Sequence, residues 1–405
     1  MGSSRMGGSR LSSPFSSRGG HAAAGYSPVR RYVAFALPVI ALILIILLVV
    51  FIVSSVQSCT AAAEPEESEV VEVQPMSLHY EPSVLGLDAV ADPGTSIAGF
   101  TLASEGQSYM PTLSEEGKAQ ITSAMAPFTD NGYTLGFSIV DLQTGSGYAY
   151  NLDAEVYGAS SFKGPVLIYG CQEALEPGIL STSTLQSYSE GAIINSDNTS
   201  YYRMRALFED YGEESLITWL ANMNIDSDVE TDTSFPHYST RISAKLWMNA
   251  YLYFTSADSD PDIVSWAQDL LSKTEVSMLR AGVDPTFPLM TDDGEVSSSA
   301  PAGSSSLDVV VYDKAGWMNG STDDGLCDTG IVIDDGKAYL ISVMSGASDS
   351  SSNREAMMNL ISALWQQRSS LAPSEGYVLS DAPSSSEGDG SNTGDANAGN
   401  NATQQ

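Results

Sequence analysis

"YTLGFSIVDLQTGSGYAYNLDAEVYGASSFKGPVLIYGCQEAL", residues 133–175, sets two strand-like runs ahead of a long apolar segment that opens on two serines and a lysine. Tyr133–Leu142 and Tyr148–Leu152, joined by the Gly-containing turn "QTGSG", read as a β-hairpin. The apolar segment "SSFKGPVLIYGCQEAL" (160–175) has the length of a buried helix. Pro165 is tolerable there only if the helix starts close to Ser160, because a proline in the first turn sacrifices few backbone bonds.

Outward from this stretch, Thr112 and Glu115 form a potential capping box for a helix that should run to about Met125, before Pro127. The region from Thr184 to Lys273 has mainly helical patterning ("EESLITWLANM", "ISAKLWMNAYLYF"). "LDVVVYDKAGWM", "DTGIVID" and "KAYLISVMSG" then read as three strands, the last two joined by Asp335-Gly336, a favoured hairpin pair. "NREAMMNLISALWQQR" closes the body as a helix with Met357, Leu360, Ile361 and Leu364 on one stripe. Helix and strands at both ends therefore enclose a helical insert. The order predicts an α+β fold: one antiparallel sheet with the terminal helices packed on it, beside an all-helical lobe, with a cleft between them.

The 405-residue chain carries 50 acidic against 17 basic residues, a formal charge of −33 that excludes nucleic acid as a natural partner. Arg5, Arg10, Arg18, Arg30 and Arg31 precede the uncharged run Tyr32–Val53, long enough as a helix to cross a hydrocarbon layer roughly 30 Å thick. The charge asymmetry around that run places the N-terminus in the cytoplasm and the rest of the chain outside the cell membrane. The expected organisation is a disordered cytoplasmic tail (1–31), a single transmembrane helix (32–56) and an acidic extracytoplasmic linker (57–111). A folded domain (112–370) and a disordered Ser/Gly/Asn-rich tail (371–405) complete it. Lipidation of Cys59 is the rival to a retained anchor, but Gln57 and the long basic leader suit it badly. Three cysteines are too few for a disulfide scaffold; a Cys171–Cys327 bridge is compatible with the count and not implied by it. Only His79 and His237 follow the apolar run, so a Ser-His-Asp triad has little to draw on.

Ser160 and Lys163 form S-x-x-K at a helix start, with both side chains on one face. A lysine can take the serine proton only when neutral, and moving its pKa from about 10.4 towards 7 costs about 4–5 kcal/mol, which burial and a second cation can supply. Alone, S-x-x-K is common by chance and reads equally as a polar loop opening a helix. Two further stretches alter that. Ser196-Asp197-Asn198 supplies a hydroxyl and a carboxamide for an opposite wall, and Lys314-Ala315-Gly316 ends a strand with a second cation and a glycine that lets a ligand lie against the edge. By themselves these are a loop that Asp197 braces and a solvated strand-end lysine.

In this order the three elements resemble the penicillin-recognising serine hydrolases, closest to class A β-lactamases with their S-x-x-K, S-D-N and K-T-G. The resemblance spans about residues 112–370 and includes "LRAGV" (279–283). It implies that Ser160 attacks a lactam or peptide carbonyl to form an acyl-enzyme with Lys163 as base or relay, and that Ser196 passes a proton to the leaving nitrogen. It further implies that Asn198 binds the substrate amide, that Lys314 attracts its carboxylate, and that Ala315, Gly316 and Trp317 line the substrate edge. The oxyanion hole would use the backbone N–H groups of Ser160 and Trp317. Asp197 braces its loop in this scheme.

The chain departs from the family pattern in three places. The stretch from Lys163 to Ser196 is short, Ala315 replaces the usual hydroxyl residue, and the loop glutamate that activates the deacylating water is not evident, with Glu230 and Asp232 as weak stand-ins. Acylation therefore reads better than deacylation. The expectation is a membrane-anchored monomeric serine hydrolase acting on β-lactams, with a slow D,D-peptidase-like enzyme on peptidoglycan stem peptides, or a non-catalytic wall-binding module, as alternatives. No cofactor is expected, and no metal, since the acidic clusters lack the spacing of a calcium loop. The Asn198 and Asn319 sequons read as chance.

Overall fold

A six-stranded antiparallel sheet organises the chain. The computed structural model describes residues 80–103, 108–226, 229, 234–291, 294–296, 309–320 and 323–373. The proposed tail (1–31), membrane span (32–56), Cys59, Glu230, Asp232 and residues 374–405 lie outside the described residues. Among the described residues no helix is long and apolar enough to cross a membrane.

In chain order the strands are β1 (Ala98–Thr101), β2 (Leu135–Asp141), β3 (Ser146–Tyr150), β4 (Glu155–Tyr157), β5 (His237–Ser239), β6 (Leu289–Thr291), β7 (Gly294–Val296), β8 (Val310–Met318), β9 (Gly325–Asp334) and β10 (Lys337–Ser345). The main sheet runs β1-β3-β2-β10-β9-β8, while β4 pairs with β5 and β6 with β7 in separate two-stranded ribbons. The helices are α1 (Glu115–Thr129), α2 (Lys163–Gly170), α3 (Thr182–Ser189), α4 (Asn198–Tyr211), α5 (Leu216–Asn222), α6 (Thr240–Thr255), α7 (Pro261–Leu271), α8 (Met278–Val283) and α9 (Ser351–Gln366).

Period-2 alternation in the central strands faces two cores. Phe137 and Ile139 of β2 and Ile341 and Val343 of β10 join Ile121 and Phe128 of α1 and Met357, Leu360, Ile361 and Leu364 of α9 on one side. Val140, Leu340 and Met344 turn the other way, onto α2, α6 and the rest of the helical lobe. Each fully buried α9 side chain contributes about 1.5–3 kcal/mol relative to exposure, so the closing helix is fixed to the sheet. Asp335 and Gly336 both adopt positive φ, the geometry of the tight turn that their sequence predicts between β9 and β10.

Several boundaries need correction. The segment expected to be linker up to residue 111 supplies a 3-10 helix, Val84–Ala89, and the edge strand β1. Lys245, buried on α6, holds that 3-10 helix through Asp88 at 2.6 Å and also donates to the Asn224 carbonyl at 2.9 Å. Arg241 adds a bond to the Leu87 carbonyl. Ser114, not Thr112, caps α1 by accepting from Gly117 N, and the helix continues through Pro127 to Thr129. Cys171 and Cys327 are free thiols, both buried.

Candidate active site

Between β4 and α2 the chain makes one 3-10 turn, Ala159–Phe162, before the α-helix begins at Lys163. Side chains three apart eclipse on such a turn, so Ser160 and Lys163 share a side. Pro165 falls in the first turn of α2, as its chemistry requires. Ala159 adopts φ +47, a left-handed conformation that costs an alanine about 1–2 kcal/mol and persists only when the surroundings enforce it.

Two features enforce it. The Ser161 hydroxyl donates to the Gly158 carbonyl at 2.6 Å and shares a hydrogen bond of 2.5 Å with the fully buried Tyr238 hydroxyl from β5. From the other side, strand β8 presses on the turn through Gly316. A Cβ there would come within 3.0 Å of Gly158 O, Ser161 N and Ser160 N. The glycine was expected to admit a ligand to the strand edge; what lies against it is the backbone that carries Ser160.

Lys163 is fully buried and its amine is held by the opposite wall. Nζ donates to the Ser196 carbonyl at 2.5 Å and to Asn198 Oδ1 at 2.8 Å, with Ser196 Oγ at 3.4 Å. The rings of Tyr201 and Phe235 lie 5.4 and 5.6 Å from the same nitrogen. Burial, then the charge of Lys314, lowers the amine from 10.5 to about 7, against the opposing pull of Asp197. A neutral amine has two N–H bonds and one lone pair. Ser196 O and Asn198 Oδ1 can take both hydrogens, which leaves the lone pair for a hydroxyl proton.

Ser196 presents its carbonyl to Lys163 because it too sits at positive φ, +57, one residue beyond a π-helical turn, Glu190–Ile194, that Asn195 ends. Such turns recur at functional sites. Asp197 then caps α4 by accepting from Ser200 N at 2.6 Å, and hydrogen bonds from Ser200 hold its carboxyl below the usual range. That is the bracing role expected of it.

Lys314 is buried on β8 beside α2, its Cβ lying 3.0 Å from where a Cβ on Gly164 would stand. Nζ donates to the Ala315 carbonyl at 2.8 Å and lies 5.3 Å from the Trp317 ring. Burial lowers this amine to about 8, opposed by Asp313 and Asp328. Those two carboxyls are fully buried and diagonal in the strand register, Asp313 opposite Gly330 and Asp328 opposite Ala315, and burial with the charge of Asp313 pushes Asp328 well above the usual carboxyl range. Leu279 N donates to Asp328 at 2.8 Å, and Arg280 approaches Asp313 at 3.5 Å, which places the "LRAGV" stretch directly behind the lysine strand. The Ala315 side chain points into the core shared with α1 and α9.

A small cleft of about 50 Å³ opens at the serine, lined by Tyr157, Ala159, Ser160, Asn198, Phe235, Trp317 and Met318. The chain thus gathers Ser160, Lys163, Ser196, Asn198, Lys314, Gly316 and Trp317 around one turn, although they are spread over more than 150 residues of sequence. Sequence patterning missed Tyr238 and Phe235. Their only advance signals were a Tyr and a Phe in a stretch with no readable period, and Gly158, whose missing Cβ is what admits the Tyr238 ring. No cluster of His, Cys, Asp or Glu able to hold a metal occurs among the described residues.

No protein-family model and no curated protein matches the chain. Among solved structures, the chain is similar to an ancestral (GNCA) class A β-lactamase at 16% identity, over 61% of this chain and 99% of that one, with a TM-score of 0.45. It is similar to PBP-A at 15% identity, over 62% and 97% of the two chains, with a TM-score of 0.47. A β-lactamase from Sphaerobacter thermophilus DSM 20745 is 14% identical over 63% of this chain and 98% of that one, at 0.46.

Proposed function

We propose that this chain is an acyl-serine enzyme of the penicillin-recognising type, opening β-lactam rings at Ser160. The observation that carries the proposal is the Lys163 amine, buried, pushed down to about 7 and hydrogen-bonded to Ser196 and Asn198 beside the serine turn. In the first step Ser160 Oγ attacks the lactam carbonyl while its proton passes to the lone pair of neutral Lys163. The oxyanion meets the backbone N–H groups of Ser160 and Trp317, and losing one such donor typically costs about 100-fold to 1,000-fold in rate. The C–N bond then breaks, and the leaving nitrogen takes a proton from Lys163 through Ser196 Oγ, which lies 3.4 Å from the amine. Lys314, protonated below about 8, attracts the substrate carboxylate. Hydrolysis of the ester by water completes a turnover.

A second reading differs in that last step. The sequence holds no evident loop glutamate to activate the deacylating water, with Glu230 and Asp232 only weak stand-ins, which favours slow release and an enzyme of the D,D-peptidase kind acting on peptidoglycan stem peptides. In both readings the apolar run 32–53 anchors the chain and the catalytic domain lies outside the cytoplasm. Protease added to intact cells should then remove the domain, and full protection would refute that placement.

Intact-mass measurement of the purified full-length chain with benzylpenicillin, followed over time, tests the proposal. A mass gain of one whole lactam that maps to Ser160 and is absent in Ser160→Ala is expected. The lifetime of the adduct separates the two readings, seconds for hydrolysis and hours for slow release. No adduct at millimolar lactam would refute both.

A further inference from the structure

On the function proposed above, we infer that the cleft selects acyl donors whose side chain is neutral and aromatic, and rejects those whose side chain carries a carboxylate. The lining around Ser160 is apolar on most sides: the Tyr157, Phe235 and Trp317 rings, the Met318 side chain and the Ala159 methyl, with Asn198 as the polar exception besides the serine itself. Phe235 is held in place before any ligand arrives. It packs at 5.3 Å on Tyr201 and at 5.9 Å, edge-on, against the half-exposed Tyr202, while the Lys163 amine lies 5.6 Å from its centroid. A ring already fixed by its neighbours loses little freedom when a second aromatic group stacks on it.

Charge at the lip acts in the same direction. Tyr157 packs on His237 at 5.2 Å, and His237 in turn meets Asp323 at 3.5 Å. Asp323 is near enough to Tyr157 to help raise that phenol, after burial. Asp197 stands exposed on the wall that holds Lys163. The cations of the site, Lys163 and Lys314, are both buried. On the proposed function the lactam's own carboxylate is taken by Lys314, and the two carboxylates nearer the surface, Asp323 and Asp197, oppose a second anion.

Three penicillins that keep the 6-acylamido group and differ only in its side chain test this with the full-length chain: benzylpenicillin with a phenylacetyl group, carbenicillin with a carboxyl added to that group, and methylpenicillin with an acetyl group. Second-order acylation constants from intact mass should rank benzylpenicillin about tenfold above methylpenicillin, the value of one aromatic contact with its burial, and several-fold above carbenicillin. Phe235→Ala should shrink the benzylpenicillin advantage over methylpenicillin, a ratio that a general folding defect leaves unchanged. Asp323→Asn should narrow the gap between carbenicillin and benzylpenicillin. The inference is overturned if all three lactams acylate within twofold of one another, if carbenicillin reacts fastest, or if Phe235→Ala slows all three equally. Absence of adduct with every lactam would overturn the acyl-serine function itself, whereas adducts without selectivity overturn this inference alone.

Discussion

Replacing Gly316 by alanine should uncouple the serine turn from the strand that braces it. The added methyl would come within 3.0 Å of three backbone atoms, Gly158 O, Ser161 N and Ser160 N, and none of them belongs to a flexible side-chain tip. Ordinary contact begins near 3.4 Å, so strand and turn must part by about 0.5–1 Å, and overpacking of this kind costs about 1–3 kcal/mol. The consequence for chemistry should be larger. Ser160 N is one of the two expected oxyanion donors, and a misplacement of about 1 Å in a catalytic group costs about 100-fold. Acylation by a chromogenic cephalosporin, measured by stopped flow beside thermal denaturation, should fall about 100-fold or more in Gly316→Ala, with a moderate loss in Tm. Gly336→Ala serves as the contrast: the turn glycine at φ +74 has nothing within 4 Å of its Cβ position, so the substitution should cost only the left-handed backbone penalty of about 1–2 kcal/mol and leave acylation intact. Acylation by Gly316→Ala within threefold of the parent chain would refute the inferred dependence of Ser160 on the β8 contact.

The acylation rate should trace a narrow bell in pH. Lys163 must be neutral to accept a proton, so the rate rises through about 7, and Lys314 must be protonated to hold a carboxylate, so it falls through about 8; a rate still rising at pH 10 would contradict both assignments. Tyr238→Phe removes the hydroxyl that shares a bond with Ser161, and should lower stability by about 1 kcal/mol and slow acylation several-fold, as seen by calorimetry and stopped flow; an unchanged rate would make Tyr238 a packing residue only. Lys245→Met leaves Asp88 without its buried partner and should destabilise the chain by about 1–3 kcal/mol, less than a fully buried pair because the Asp88 side chain is 31% exposed. Denaturant unfolding checks it, and acylation should be retained.

Patterning in the sequence revealed the elements that span many residues. The β2–β3 hairpin, the three strands 310–345 and the α9 stripe each repeat a period often enough to show which face is buried. The shortest elements escaped for the same reason. β1 sets only Phe100 fully into the core from four residues, and the β4–β5 ribbon has three residues a side, too few for a period. The site shows the same division. Ser160, Lys163, Ser196, Asn198 and Lys314 carry functional groups whose chemistry can be named from their type, and the resemblance joined them. Gly316, Gly158 and Tyr238 act by what their shapes allow across the fold, and nothing in their own neighbourhoods of sequence says what will approach them.

The proposed chemistry requires a lysine that gives up its proton near neutrality, and burial with a second ammonium group disfavours the charged form of Lys163. Heteronuclear NMR of chain labelled at the lysine side chains, with Lys163 assigned through Lys163→Arg, reads that proton directly. Titration of the Lys163 amine near pH 7, moving upward in Lys314→Ala, is the expected result. A midpoint at or above about 10, the range of an ordinary solvated lysine, would contradict it.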